Sequence, residues 1–234
     1  MPRRVCIGVW ALIASFFLAL PSSWAQSKPA QSSLAPSSSA TKVSAPARTS
    51  AVVDLLDRGR TLENERRWGE ALTHYEEAFR QYPTERDLEQ RLQISRMHYD
   101  LGRRYNDRSF RETIAGSSSR QALDLYGEVL RKIQDNYVDV PDWRRLAEYG
   151  AASLEIALTD PLFIETNLPN VAPAQIESFR RQLRPQLRLQ QVNSRHAAQD
   201  AAAAAARLGR NQLGLREAVT IQEFTCGATN SLDA

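Results

Sequence analysis

The sequence predicts an all-α protein, and three features of it support that prediction. From Val52 onward, apolar residues recur at intervals of three and four, the period of a helix that buries one face. Glycine, alanine and proline fall where helical hairpins need a close approach or a stop. No run of alternating apolar and polar residues is long enough to propose a sheet.

The first fifty residues differ in composition from this helical part. Residues 1–25 run from basic through apolar to small residues, the order of a secretory signal peptide, and predict cleavage between Ala25 and Gln26. The alternative is an uncleaved inner-membrane anchor, but the apolar stretch 5–20 is shorter than the roughly 20 residues that span a bilayer. Residues 26–50 are mostly Ser, Ala, Pro and Thr and predict a disordered tether. We therefore expect export to the periplasm or cell envelope, with no stable membrane anchor after cleavage.

The most specific motif lies in residues 52–83 and predicts two antiparallel helices joined by a short turn. Small residues would let the helices approach, a large ring would fill the gap between them, and a proline would stop the second helix. The residues in these positions are Leu55, Gly59, Leu62, Trp68, Ala71, Tyr75, Ala78 and Pro83. Their spacing resembles that of a tetratricopeptide repeat, although leucine stands at two positions where Trp and Tyr are common.

A single repeat cannot bury its own faces, so the hairpin requires neighbours. Residues 85–104 predict a third helix, and residues 122–137 predict a fourth after a loop at 116–119. Together they resemble a degenerate second repeat, so that residues 51–137 form a repeat region. By position, part of the first helix would line a groove that binds a partner protein or peptide. The candidate residues are Val53, Leu56, Arg60, Glu63 and Asn64.

Residues 138–234 predict a further helical region. One helix follows Pro141 and ends before residue 159. A long helix runs from Pro173 to about Gly209, with Pro185 as a kink or break. A last helix runs from residue 215 to about residue 224 and is closed by Gly227.

No recognisable catalytic, metal-binding or cofactor-binding centre emerges from the sequence. There is no phosphate-cradling glycine loop and no nucleophile elbow. The histidines lack a second ligand at metal-binding spacing, so we expect packing or surface roles for His74, His98 and His196. The three lysines lie in the tether or on a polar helix face, so none suits a Ser-Lys dyad.

The net charge and the cysteine content limit the kinds of partner that we expect. The formal charge of +3 includes two arginines of the signal peptide, so the mature chain is close to neutral and nucleic acid is not expected as a partner. Of two cysteines, only Cys226 remains after cleavage. It is either buried or pairs with another chain, and its neighbours Phe224 and Gly227 favour burial.

Two later segments are similar to parts of one peptidase family. They are Tyr126-Gly127-Glu128-Val129-Leu130 leading to Asn136-Tyr137-Val138-Asp139, and Glu223-Phe224-Thr225 leading through Gly227-Ala228 to Ser231-Leu232-Asp233. In this order they resemble the helical region that precedes the PDZ domain of C-terminal processing peptidases. The resemblance implies the N-terminal part of a Ser-Lys serine peptidase, whose catalytic core these residues do not contain.

Two functions therefore follow from the sequence. The first is the N-terminal part of such a peptidase, inactive alone and able to recruit a partner or form a homodimer. The alternative is a stand-alone periplasmic adaptor that binds a partner protein. If the chain is part of a peptidase, residues 214–234 should lack packing partners, which would leave Ile221 and Phe224 exposed. If it is an adaptor, residues 214–234 should pack onto the other helices.

Overall fold

Helices make up the regular structure of the computed structural model, which describes residues 45–136 and 140–233. In those ranges ten α-helices precede a short 3₁₀ helix and no strand occurs, so the all-α prediction is confirmed. The helices are α1 (Ala45–Asn64), α2 (Trp68–Gln81), α3 (Arg86–Asn106), α4 (Arg108–Gly116), α5 (Ser119–Asn136), α6 (Trp143–Ala157), α7 (Pro161–Asn167), α8 (Pro173–Arg188), α9 (Arg195–Leu213) and α10 (Glu217–Asn230). Among them, none combines the length and the apolar character that crossing a membrane requires.

The N-terminal predictions fall mostly outside the described residues. The signal peptide, its cleavage site at Ala25 and Gln26, and the tether as far as residue 44 all lie there. Helix α1 begins at Ala45, inside the range 26–50 predicted as tether. Once a helix has formed, each added residue gains a backbone hydrogen bond, which explains an extension beyond the apolar pattern that begins at Val52.

Helices α1 and α2 form the predicted hairpin around Tyr75, whose ring is fully buried. Gly59 lies directly against this ring, so that a Cβ atom there would overlap it. Ala71 and Ala78 are buried on the same face of α2, and Pro83 follows shortly after the last helical residue. Leu55 and Leu62 are partly buried against this core, and Trp68 begins α2. The hairpin is confirmed, and its kinship with tetratricopeptide repeats stays a prediction.

Helix α3 belongs to two hydrophobic cores. Near its start, Leu88 packs with the buried residues of the α1–α2 hairpin. Near its end, Leu101 and Tyr105 belong to a larger core formed with the C-terminal helices. Its course therefore joins the hairpin to the rest of the chain.

The larger core is built around α10, which contacts α5, α6 and α9. The crossing with α6 is unusually close at two glycines. Gly150 of α6 lies under the ring of Phe224, and a Cβ atom at Gly227 would overlap the backbone of Tyr149 and Gly150. The prediction that Gly227 closes the last helix is wrong, because α10 continues to Asn230 and the glycine serves the crossing.

The helices differ from the prediction at three further points. Short helices α4 and α7 lie in segments for which the sequence predicts no helix, and an aspartate caps the N-terminus of each. Asp107 accepts a hydrogen bond from the Ser109 amide, and Asp160 accepts from the Phe163 amide. The single long helix predicted over 173–209 is divided into α8 and α9, with Pro185 still inside α8 and a new N-cap at Ser194.

The α6–α10 crossing yields a direct stability test. We expect Gly227→Ala to lower the free energy of unfolding by about 2 kcal/mol or more, because the new methyl group forces the two backbones apart. Gly102→Ala in α3 is the matched control. Apart from the nearby backbone of α3 itself, nothing lies within 4 Å of its added Cβ, so the better helix propensity of alanine should raise stability by up to about 1 kcal/mol.

Denaturant unfolding followed by circular dichroism measures both variants. Equal stability of Gly227→Ala and the wild type would show that the crossing is not as close as described.

Candidate functional site

The groove predicted on α1 is not a single open surface. Val53, Arg60 and Asn64 are exposed, but Leu56 and Glu63 are buried. Glu63 faces α3, where its Oε2 atom lies 2.9 Å from Arg91 Nη2. The helical period explains the difference, since Leu56 and Glu63 are rotated about 60–80° from the mean direction of the other three, toward the buried face of α1. The prediction that these two residues face a partner is therefore wrong.

A different groove opens between α3, α6 and α8, and we call it the α3–α6–α8 groove. Its volume is about 390 Å³. We call the apolar part of its lining the floor and the polar part the walls. The apolar lining comprises Ile94, Met97, Ala152 and Ile156, and the polar lining comprises Gln90, Gln93, His98, Glu148, Tyr149, Glu155, Thr159, Arg180 and Arg184.

Side-chain contacts hold the walls of this groove together. Between α6 and α3, the Tyr149 hydroxyl donates to Gln93 Oε1 at 2.9 Å. Between α8 and α6, Arg184 Nε lies 2.8 Å from Glu155 Oε1 and its Nη2 lies 2.6 Å from Oε2. The hydrogen bond to Glu155 raises the pKa of Arg184, although burial opposes this. Such two-point pairing fixes orientation as well as distance.

A buried carboxylate fixes the same helices deeper in the molecule. Glu223 of α10 is fully buried. Its Oε2 atom lies 3.0 Å from Arg104 Nη2 of α3 and accepts from Ser153 Oγ of α6 at 2.9 Å. Its Oε1 atom accepts from the Tyr105 hydroxyl at 3.3 Å. We call these four residues the Glu223 network, and it ties α3 to α6 and α10.

The electrostatics of the Glu223 network are those of an internal ion pair. Burial alone would lower the pKa of Arg104, but the charge of Glu223 raises it above its ordinary value. Burial and the same charge raise the pKa of Tyr105, so the phenol stays protonated and donates. Full enclosure of the carboxylate indicates a structural role for this network.

Sequence reasoning missed both the groove and the Glu223 network. The network has a signal in the sequence, because Glu223 is a lone charge in an otherwise uncharged stretch, residues 218–230. A buried carboxylate requires a partner, so that pattern predicts an ion pair but does not name its arginine. The groove has no comparable signal, since its walls come from three helices that are distant in sequence.

Two wall residues hold buried nitrogen atoms without a hydrogen-bond partner in the part of the chain that the structure describes. They are Arg180 Nε and His98 Nδ1. The His98 ring stacks on Trp68 of α2, with the ring centroids 3.7 Å apart and the planes 2° from parallel. Burial lowers the pKa of His98 to about 4, although Asp160 acts in the opposite direction. The ring is therefore neutral at pH 7.

The remaining candidate groups occupy ordinary packing or surface positions. His74 Nε2 lies 2.8 Å from the carbonyl oxygen of Leu55, and His196 is exposed. Cys226 is partly buried on α10, and burial raises the pKa of its thiol to about 11. Within residues 45–136 and 140–233, no cluster of three or more His, Cys, Asp or Glu side chains could hold a metal ion.

Several residues of the peptidase-like segments lie in the larger core, among them Tyr126, Leu130 and Phe224. Tyr126 packs edge-to-face on Phe224, and Gly127 accommodates Gln199, which donates to the carbonyl of Leu123. Residues 137–139 of the first segment fall outside the described ranges. At the second, Phe224 is 0% exposed, and the neighbouring Ile221 is 2% exposed. The expectation that Ile221 and Phe224 are exposed is therefore wrong, and the adaptor function stays a prediction.

Comparison with known proteins gives no relative for this chain. It is matched by no protein-family model, by no curated protein and by no solved structure.

The buried His98 ring predicts a pH dependence of stability. The unfolded chain binds a proton near pH 6.5 and the folded chain near pH 4, so the stabilisation is complete above pH 6.5 and is lost as the pH falls. We expect the free energy of unfolding to drop by up to about 3 kcal/mol through this group.

The His98→Phe variant retains a ring for the stack on Trp68 but cannot titrate, so its stability should fall less between pH 6.5 and 4. His196→Phe changes an exposed histidine and should behave like the wild type. Urea unfolding at several pH values measures this, and parallel curves for wild type and His98→Phe would contradict the assignment.

Proposed function

We propose that this chain is an exported helical scaffold that binds a partner protein in the α3–α6–α8 groove. One observation supports this above the others: an open groove of about 390 Å³ combines apolar side chains with polar and charged ones in its lining. Apolar concavities with a few oriented polar groups are typical ligand sites, and the volume falls in their usual range of about 300–1,000 Å³.

The fixed positions of the walls support binding by a preformed surface. The Tyr149–Gln93 hydrogen bond joins α6 to α3, the Arg184–Glu155 pair joins α8 to α6, and the Glu223 network also joins α3 to α6. A surface that is already ordered loses less conformational entropy when it binds. An extended peptide segment suits this groove, since its alternate side chains could enter the apolar floor while its polar groups face the walls.

The exported location rests on the N-terminal sequence. Residues 1–25 have the order of a signal peptide, and residues 26–44 would act as a spacer ahead of α1. The interpretation as part of a C-terminal processing peptidase stays a prediction. Among its similar residues, Tyr126, Gly127, Phe224 and Gly227 have packing roles in this fold that account for them without that family.

The groove assignment is tested by filling the groove. We expect Ala152→Trp to weaken binding at least about tenfold, a loss of 1.4 kcal/mol, because the indole would occupy the apolar floor. The probes are peptides selected from a phage-displayed random library on the wild-type protein and then synthesised. Fluorescence anisotropy gives their dissociation constants.

Ala115→Trp is the matched control, since Ala115 is exposed on α4 and does not line this groove. It should bind the peptides like the wild type, and circular dichroism should show both variants folded. If no peptide is selected, or if the selected peptides bind Ala152→Trp as tightly as the wild type, the proposed function is wrong.

A further inference from the structure

The two most exposed large apolar side chains among the described residues lie close to one contact. Val140 is 90% exposed and Leu189 is 80% exposed. Leu189 directly follows α8, and the carbonyl oxygen of the next residue, Gln190, accepts a hydrogen bond from Arg144 Nη2 of α6 at 3.3 Å. Val140 is four residues before Arg144, and so at most about 14 Å from it. Both apolar side chains therefore lie at the same end of the larger core.

The surface of α8 that leads to Leu189 is basic. Residues 173–194 carry four arginines and one glutamate, whereas acidic residues outnumber basic ones in the rest of the chain after residue 44. Three of the arginines are exposed and lie three and four positions apart, so they form one stripe along the helix: Arg181, Arg184 and Arg188. The residues that α8 buries lie on its opposite face, so this stripe points away from the core.

Ion pairs neutralise only part of this basic charge. Among the described residues, α8 forms two ion pairs, between Arg180 and Glu177 and between Arg184 and Glu155. Arg181 donates to the backbone carbonyl oxygen of Glu177, at 3.4 Å, and not to a carboxylate. Its positive charge is therefore available to a ligand.

The groups of α6 and α8 that remain outside an ion pair carry more positive than negative charge. Their carboxylates are those of Asp142, which caps α6, and of Glu148, which lines a crevice with Arg188. Their guanidinium groups, in the part of the chain that the structure describes, are those of Arg144, Arg145, Arg181 and Arg188. Four cations thus stand against two anions, and this end of the two helices keeps a positive excess.

An anionic bilayer surface matches both features. Guanidinium groups pair with lipid phosphates, and apolar side chains that stand out from a protein enter the boundary between headgroups and acyl chains. A soluble acidic partner would use the arginines but gives no reason for two isolated apolar side chains to be exposed. We propose that the α6–α8 end, defined as Val140, Arg144, Arg181, Arg188 and Leu189, binds the surface of an anionic membrane. This rests on the exported location in the proposed function but not on the groove.

Vesicle binding tests this proposal. The probes are vesicles of equimolar phosphatidylcholine and phosphatidylglycerol, and vesicles of phosphatidylcholine alone. They are mixed with the chain from Gln26 onward, so that the apolar stretch 5–20 cannot itself bind lipid. Co-sedimentation should show at least about tenfold tighter binding to the anionic vesicles. Raising the salt concentration to about 0.5 M should weaken that binding at least about threefold, because salt screens exposed charges.

A charge-removing variant locates the binding surface. The triple variant Arg144→Gln/Arg181→Gln/Arg188→Gln should bind anionic vesicles at least about tenfold more weakly than the wild type. Its matched control removes the same charge at exposed arginines of other helices, in Arg111→Gln/Arg120→Gln/Arg207→Gln, and should lose clearly less affinity. Circular dichroism should show both triple variants folded.

A second pair of variants tests the apolar contribution. Leu189→Ser should weaken binding to anionic vesicles at least about threefold, because the leucine side chain would enter the bilayer boundary. Leu125→Ser is the matched control, since Leu125 is 48% exposed on α5 and lies outside the α6–α8 end, and it should bind like the wild type.

Two outcomes would overturn the inference: equal binding to both kinds of vesicle, or an equal loss in the triple variant and its control. Ala152→Trp leaves the α6–α8 end unchanged and should bind vesicles like the wild type. If the vesicle results fail while selected peptides bind the groove, this inference is wrong and the proposed function stands. If the vesicle results hold and no peptide is selected, the groove assignment is wrong and this inference stands.

Discussion

The close crossing of α6 and α10 is the contact on which the rest of the structure depends. Gly150 and Gly227 remove the side chains that would otherwise separate the two backbones. Phe224 then fits over α6, and α5 and α9 pack around α10. Because close-packed interiors tolerate little added volume, the glycines determine which helices can be neighbours. The helix nearest the C-terminus is consequently the centre of the larger core.

Helix α3 connects this crossing to the α1–α2 hairpin. Glu223 projects from α10 to Arg104 and Tyr105, near the end of α3, while the other end of α3 packs on the hairpin. A buried ion pair contributes little net stability, but removing one partner leaves an uncompensated charge. The Arg104–Glu223 pair instead specifies one placement of α3 against α6, and that placement creates the groove between them.

The sequence predicted local structure well and tertiary roles poorly. The hairpin was predictable because Gly59, Tyr75 and Pro83 act within about one repeat length. The two short helices were missed although their aspartate caps are visible in the sequence. Gly227 was taken for a helix stop because an isolated glycine after apolar residues usually is one. Its partner is 77 residues away, at Gly150, and no local pattern indicates such a distance. The predicted groove on α1 likewise included Leu56 and Glu63, which are buried against other helices, because no local pattern shows which helices lie next to α1.

The most direct test of this account is a double-mutant cycle on Arg104 and Glu223, measured by urea unfolding of Arg104→Met, Glu223→Gln and the double variant. If the Glu223 network specifies the placement of α3, each single change destabilises the protein. The double variant is then less destabilised than the sum, with a coupling energy above about 1.5 kcal/mol. Changes that add to within about 0.5 kcal/mol would show that the pair does not join α3 to α10, and would contradict the account.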